Sequence, residues 1–170
     1  MTAPVIIENY DPLWPEKFET LRAPINATLG LLAAAIEHVG STAVPGLAAK
    51  PIIDIDILLR SAADVPLAIT RLTFLGYQHQ GDLGVLGREA FRPPPGAIPH
   101  HLYACPPDSR AYRSHIEFRD HLRNHPQDVG AYATLKRSLA ESVVDREAYT
   151  QAKTGFIEEI LRRTGDSHRK

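Results

Sequence analysis

The segment Pro51-Ile-Ile-Asp-Ile-Asp-Ile-Leu-Leu59 constrains this chain more than any other. Its β-branched residues predict a strand. Successive side chains of a strand face opposite ways, so Asp54 and Asp56 project to one side while Ile53, Ile55 and Ile57 project to the other. Two strand rises put the aspartates roughly 7 Å apart at Cα. Carboxylates at that separation can share or bracket hard cations through their oxygens. Two like charges on so apolar a strand are costly unless something positive lies between them. The competing reading is a strand end where both aspartates are merely hydrated. Ionised side chains rarely interrupt an apolar run without a partner, which weighs against it.

A second feature gives the pair a context. Ile36-Glu-His-Val39 predicts a short strand, and Gly40-Ser41 after it predicts a turn, with 12 residues between Ser41 and Asp54. Such a turn can offer backbone N–H groups and a hydroxyl to a phosphate. Gly-Ser is also an ordinary turn dipeptide, so the turn alone carries little. With Asp-x-Asp on the next strand it implies phosphates at the turn and Mg²⁺ or Mn²⁺ on the carboxylates. That arrangement suits metal-assisted attack on a nucleotide phosphorus.

The remaining pattern predicts an α+β domain. Val5-Ile6-Ile7 reads as a strand, and Asp11-Pro12 as a helix start with Asp as cap and Pro at the first position. Trp14, Phe18, Leu21, Ile25, Leu29 and Leu32 recur at helical spacing, with Pro24 expected to bend or split the helix. Val65 to Leu75 predicts a helix closed by Gly76. Residues 81–99, with many Gly and Pro, read as a loop or irregular hairpin and a candidate lid. His101 to Cys105 predicts a further strand. Helices are expected over 110–124, 127–143 and 146–163, the last capped by Asp145, with Gly165 to Lys170 frayed. The whole of 1–170 reads as one domain, a sheet-containing core over 1–107 with C-terminal helices over 108–165 packed on it.

Charge and composition narrow the partners. Lys plus Arg number 19 and Asp plus Glu 20, a net charge of -1, so no overall field favours a nucleic acid or a membrane surface. Any anion site must be local. The single cysteine, Cys105, excludes an internal disulfide and a cysteine-based zinc site. No run approaches the roughly 20 apolar residues of a membrane span, and the N-terminus lacks a secretory pattern. A reduced, cytoplasmic protein is expected.

Several long strings carry a resemblance. Ile36-Glu-His-Val-Gly-Ser-Thr-Ala-Val-Pro-Gly-Leu-Ala-Ala-Lys-Pro-Ile-Ile-Asp-Ile-Asp56 closely resembles the signature of the GrpB-like family. Tyr10-Asp-Pro-Leu-Trp-Pro15, Gly87-Arg88, His100-His101, Phe118-Arg119-Asp120 and Asp145-Arg-Glu-Ala-Tyr-Thr-Gln-Ala-Lys153 extend the likeness nearly end to end. That family is related to the polymerase-β-type nucleotidyltransferases, including the kanamycin nucleotidyltransferase class, and some relatives are fused to dephospho-coenzyme A kinase. The resemblance implies a nucleotidyltransferase-like mixed sheet flanked by helices, with Gly40 and Ser41 as phosphate turn and Asp54 and Asp56 as metal pair. Active members usually add a third carboxylate from a later strand. The corresponding segment here offers His101, Tyr103 and Cys105 on one face, and Tyr103 stands where relatives often carry His. His101 is therefore the candidate base, a structural histidine being the competing reading.

Two lysines complete the candidate set. Tyr132-x-x-x-Lys136 lies on the stripe Tyr132, Leu135, Leu139, Val143, and Tyr149-x-x-x-Lys153 repeats the placement on the next helix. Each lysine could simply snorkel to water. The repetition instead suggests paired cations over a cleft of phosphates and carboxylates, joined by Arg88 of the Gly-rich loop; Arg92 reads as a surface residue. His121 and His125, with His115 nearby, lack the glutamate of a metalloprotease helix, and Pro126 ends their helix. The expected function is transfer of a nucleoside monophosphate from a nucleoside triphosphate to a small-molecule acceptor. The alternative is a binding module that captures a nucleotide or phosphorylated metabolite without reaction.

Overall fold

The structure, a computed structural model, describes residues 5–142 and 146–167. Five strands, β1 (Ala33–Val39), β2 (Ile53–Leu59), β3 (Gln78–His79), β4 (Glu89–Arg92) and β5 (His100–Cys105), form one mixed sheet in the order β1-β2-β5-β4-β3. Strands β2 and β5 run parallel, and every other neighbouring pair is antiparallel. Helices α1 (Trp14–Leu29) and α2 (Val65–Phe74) precede β5, and α3 (Arg110–Asn124), α4 (Pro126–Ser142) and α5 (Arg146–Ser167) follow it. This is the mixed α+β architecture with a helical C-terminal part.

The alternation along β2 organises two layers. Ile53, Ile55 and Ile57 are buried against Phe18, Ile25 and Leu29 of α1 and Leu72 of α2. On the opposite face α3 lies over the aspartates, and α4 and α5 pack around it through Phe118, Leu122, Tyr132, Phe156 and Ile160. No helix among the described residues is long and apolar enough to cross a membrane.

Several elements differ from the expectation for physical reasons. Val5 to Ile7 form no strand; only Glu8 bridges Ala49, through two hydrogen bonds of 2.9 Å. Helix α1 starts at Trp14 rather than Pro12, with Pro15 in its first turn. The Asp11 side chain still acts near that end, its Oδ1 accepting from the Leu13 amide at 2.9 Å. Pro24 does not split α1: it lies on the exposed face, while Leu21, Ile25 and Leu29 hold the buried face to the sheet. Strand β2 begins at Ile53 because Pro51 has no N–H for the ladder and the Ile52 amide turns back to the Lys50 carbonyl. Within 81–99 the hairpin reading holds, with β4 paired to β3 and β5. Residues 165–167 continue α5 rather than fray. Val143 and the Asp145 cap lie outside the described residues, as do the last three.

Candidate active site

Asp54 and Asp56 project from the same face of β2, but their surroundings differ. Register puts His101 of β5 beside Asp54 and Tyr103 beside Asp56. The Asp54 carboxylate is 29% exposed, and its Oδ1 lies 2.7 Å from His101 Nδ1. Asp56 is fully buried beneath α3, its Oδ2 at 2.7 Å from His115 Nδ1. Its other oxygen, Oδ1, is buried with no hydrogen-bond partner. Burial works to lower the His115 pKa, yet the hydrogen bond and charge of Asp56 outweigh it and hold the imidazole above its ordinary range.

Gly40 meets this pair at close quarters. It has φ 72°, in the region that favours glycine, and an added Cβ would lie 2.9 Å from Asp54 Cγ and collide with Oδ2. The chain then turns through Ser41–Ala43 in a short 3-10 helix. His38 Nε2 and Thr42 Oγ1 lie 2.9 Å apart, fastening that turn to β1.

Two adjoining cavities share Ser41, Asp54 and Lys153. One, of about 230 Å³, also meets Lys50, His101, Lys136 and Tyr149. The other, of about 270 Å³, meets Gly40, Arg88, Tyr103, Ser114 and His115. Every residue that the sequence singled out for the site lines this double cleft except Asp56, which His115 covers. Arg92 is exposed on β4 and lines neither cavity.

The cations are held in position by aromatic rings. Lys136 Nζ lies 4.7 Å from the Tyr132 centroid and Lys153 Nζ 4.6 Å from that of Tyr149. Lys50 Nζ approaches the Tyr149 ring from 4.8 Å, so one ring serves two lysines. Lys136 is buried and donates to the Ala48 carbonyl. Burial and the neighbouring Lys153 lower its pKa to about 7, against the pull of Asp54. In the second cavity the Arg88 guanidinium lies 4.3 Å from the Tyr103 centroid.

The sequence did not single out Lys50, Ser114 or His115 for this cleft. His115 was visible only as a neighbour of His121 and His125; its meeting with Asp56 spans 59 residues and depends on how α3 crosses the sheet. The three histidines serve separate partners. His121 and His125 stack at 3.9 Å, with His121 Nε2 at 2.6 Å from Asp128 and His125 Nδ1 at 2.7 Å from a carbonyl. Burial pushes the Cys105 thiol up to about 12, an unreactive state.

The donor set suits a hard cation. Among the described residues no three His, Cys, Asp or Glu side chains are gathered for a metal ion. Mg²⁺ needs fewer protein ligands, taking one or two carboxylates and completing its shell with substrate phosphates and water. The partly exposed Asp54 and the unpartnered Asp56 oxygen are the groups here that would serve as such carboxylates.

Comparison with known proteins agrees with this architecture. A family model described as GrpB protein matches residues 4–163. The UPF0157 protein PA4798 of Pseudomonas aeruginosa is 43% identical over 158 residues, covering 90% of this chain. The chain spans 64% of that relative's length. A crystal structure of the conserved protein GrpB from Enterococcus faecalis superposes with a TM-score of 0.84 at 32% identity, covering 97% of this chain and all of that one. The Cid1 poly(U) polymerase is similar at a TM-score of 0.52 and 12% identity, over 76% of this chain and 40% of its own, a likeness of fold.

Proposed function

This chain belongs to the GrpB protein family, and on that footing we propose that it is a Mg²⁺- or Mn²⁺-dependent nucleotidyltransferase, moving a nucleoside monophosphate from a nucleoside triphosphate to a small-molecule acceptor. The carrying observation is the buried, unpartnered Asp56 Oδ1 two residues from Asp54, whose carboxylate lies so close to Gly40 that a Cβ there would collide with it. An orphaned buried carboxylate oxygen is costly unless a cation is meant to meet it. The fold likeness to Cid1, described in complex with a UTP analogue, supports a nucleotide as donor.

Divalent ions on Asp54 and Asp56 would offset charge on the attacking and leaving oxygens. Gly40 and Ser41 would present N–H groups and a hydroxyl to the β- and γ-phosphates. Lys136 and Lys153, on the neighbouring cavity wall, would neutralise the pyrophosphate as it leaves. Arg88 would hold an anionic group in the adjoining cavity. The acceptor hydroxyl forms the new bond to the α-phosphorus, the bond to pyrophosphate breaks, and the hydroxyl proton passes to His101. Its Nδ1 is engaged with Asp54, which leaves Nε2 to take that proton. Reaching Asp56 requires the His115 ring to leave Oδ2.

Pyrophosphate release from a nucleoside triphosphate, assayed with Mg²⁺ across small hydroxyl and phosphate acceptors, tests the proposal. Asp54→Asn and Asp56→Asn should each abolish Mg²⁺-dependent release while far-UV circular dichroism stays unchanged; normal turnover in both variants rules out the assignment.

Two observations favour a second reading, a module that binds without reaction: β5 carries no carboxylate, and Asp56 lies sealed beneath His115. Calorimetric binding of ATP with Mg²⁺ and no pyrophosphate release from any acceptor would select it.

A further inference from the structure

A cavity of about 770 Å³ lies on the other side of the phosphate turn from the aspartates. The loop after β1 divides the two spaces: Ser41, Thr42 and Ala49 face the cleft, whereas Ala43, Pro45 and Gly46 face this cavity. Its size matches a typical small-molecule site. Its walls are mostly apolar and partly flat. Phe18 and His38 stack there at 4.8 Å and 10°, with Tyr10, Ile36 and Leu122 around them. Burial, the first of several causes, lowers the His38 pKa to about 4, so that ring is neutral at ordinary pH.

The polar lining has one notable feature. Arg119 and Arg123, four residues apart on α3, both face the cavity. Like charges at that spacing repel, and burial together with Arg119 lowers the Arg123 pKa. Arg119 gives Nε to Asp120 at 2.8 Å and Nη1 to Glu37 at 2.6 Å and the His38 carbonyl at 3.0 Å. Arg123 gives Nε to the Ala43 carbonyl at 2.9 Å. The two carboxylates of the lining are already engaged, Glu37 by Arg119 and Glu19 by Arg22 at 2.9 Å. No described carboxylate pairs with Arg123, whose guanidinium fork is free to take one.

We propose that this cavity is a second binding site, for a small amphipathic anion: a planar apolar body along Phe18, His38 and Tyr10, and a carboxylate or phosphate head on Arg123 beside Arg119. The site is separate from the aspartate cleft and does not depend on the nucleotidyltransferase reading. Such a ligand would also bear on the phosphate turn, because the Arg123–Ala43 and His38–Thr42 bonds fasten that turn from this side.

The test uses 1-naphthoate as probe and 1-naphthalenemethanol as its neutral counterpart, titrated calorimetrically into the intact protein. Naphthoate should bind one to one, about tenfold or more tighter than the alcohol, the scale of one charge-assisted contact. Arg123→Gln, at an exposed position, should keep the fold by circular dichroism and reduce naphthoate to the affinity of the alcohol. Val129→Phe, which fills the cavity wall, should abolish binding of both. Asp54→Asn should leave both unchanged, which separates this site from the cleft whatever the enzyme assay shows. Absence of naphthoate binding, equal affinity for the alcohol, insensitivity to Arg123→Gln or loss with Asp54→Asn would each overturn the proposal.

Discussion

Gly40, beside the aspartates, and Gly46, across the turn from them, make a sharp residue-scale comparison. Gly40 has a positive φ and touches the Asp54 carboxylate, whereas Gly46, with φ 80°, has nothing within 4 Å of its would-be Cβ. Backbone strain alone costs about 1 kcal/mol for an L-residue in that region. Gly46→Ala should therefore lose about that much in urea denaturation, and Gly40→Ala about 3 kcal/mol, because the collision adds to the strain. Equal losses would remove the tight approach from the account. His38 provides the pH dependence. Its native pKa of about 4 lies below the ordinary 6.5, mainly through burial. Above pH 6.5 both folded and unfolded forms are neutral and the full stability is present. As the pH falls from 6.5 towards 4, only the unfolded chain takes up the proton, so stability declines, by on the order of 3 kcal/mol at most. Unfolding free energies between pH 7 and 4 should show this slope, and His38→Gln should flatten it by about one proton.

At the scale of elements, the sequence read best where one periodicity dominated and read poorly at boundaries. Strand β2 and the buried stripe of α1 were both legible, since isoleucines at every second position and large apolar residues at helical spacing each have one stable solution against a core. Pro24 misled because local propensity was overruled by packing. Its exposed position leaves the buried stripe unbroken, and only the local hydrogen bond is lost. Pro24→Ala should then raise stability by about 1–3 kcal/mol in urea denaturation, without changing the spectrum of the folded protein. A fall would mean that the proline fits a shape the helix needs. Strand β4 escaped notice as a separate element because it has four residues, and its pairing to β3 and β5 joins segments the Gly- and Pro-rich pattern marks only as irregular.

On the scale of the whole molecule, the N-terminal helices and the C-terminal helices cover opposite faces of one sheet. We propose that they fold as one cooperative unit. Trp14, the single tryptophan, is buried in the core on the isoleucine face. Helices α3 to α5 lie across the aspartate face and contribute most of the far-UV signal. Tryptophan fluorescence and circular dichroism should therefore melt with coincident midpoints, since His115–Asp56, Arg119–Glu37 and Lys136–Ala48 tie α3 and α4 to the sheet and its loop. Separate midpoints would show that the helical part unfolds independently.

The sequence by itself determined the class of fold, the two aspartates on one face of an apolar strand, the glycine-serine turn and the paired tyrosine-lysine placements, all of them local or periodic patterns. Tertiary structure decided their relations. It left Asp54 open to the cleft and closed Asp56 beneath His115, and it drew Lys50 to the ring that also holds Lys153. It also placed Arg119 and Arg123 on a cavity behind the turn. Those meetings join residues tens of positions apart, and their geometry follows from how three helices cross a sheet to bury their apolar faces. No spacing along a single chain encodes that crossing directly.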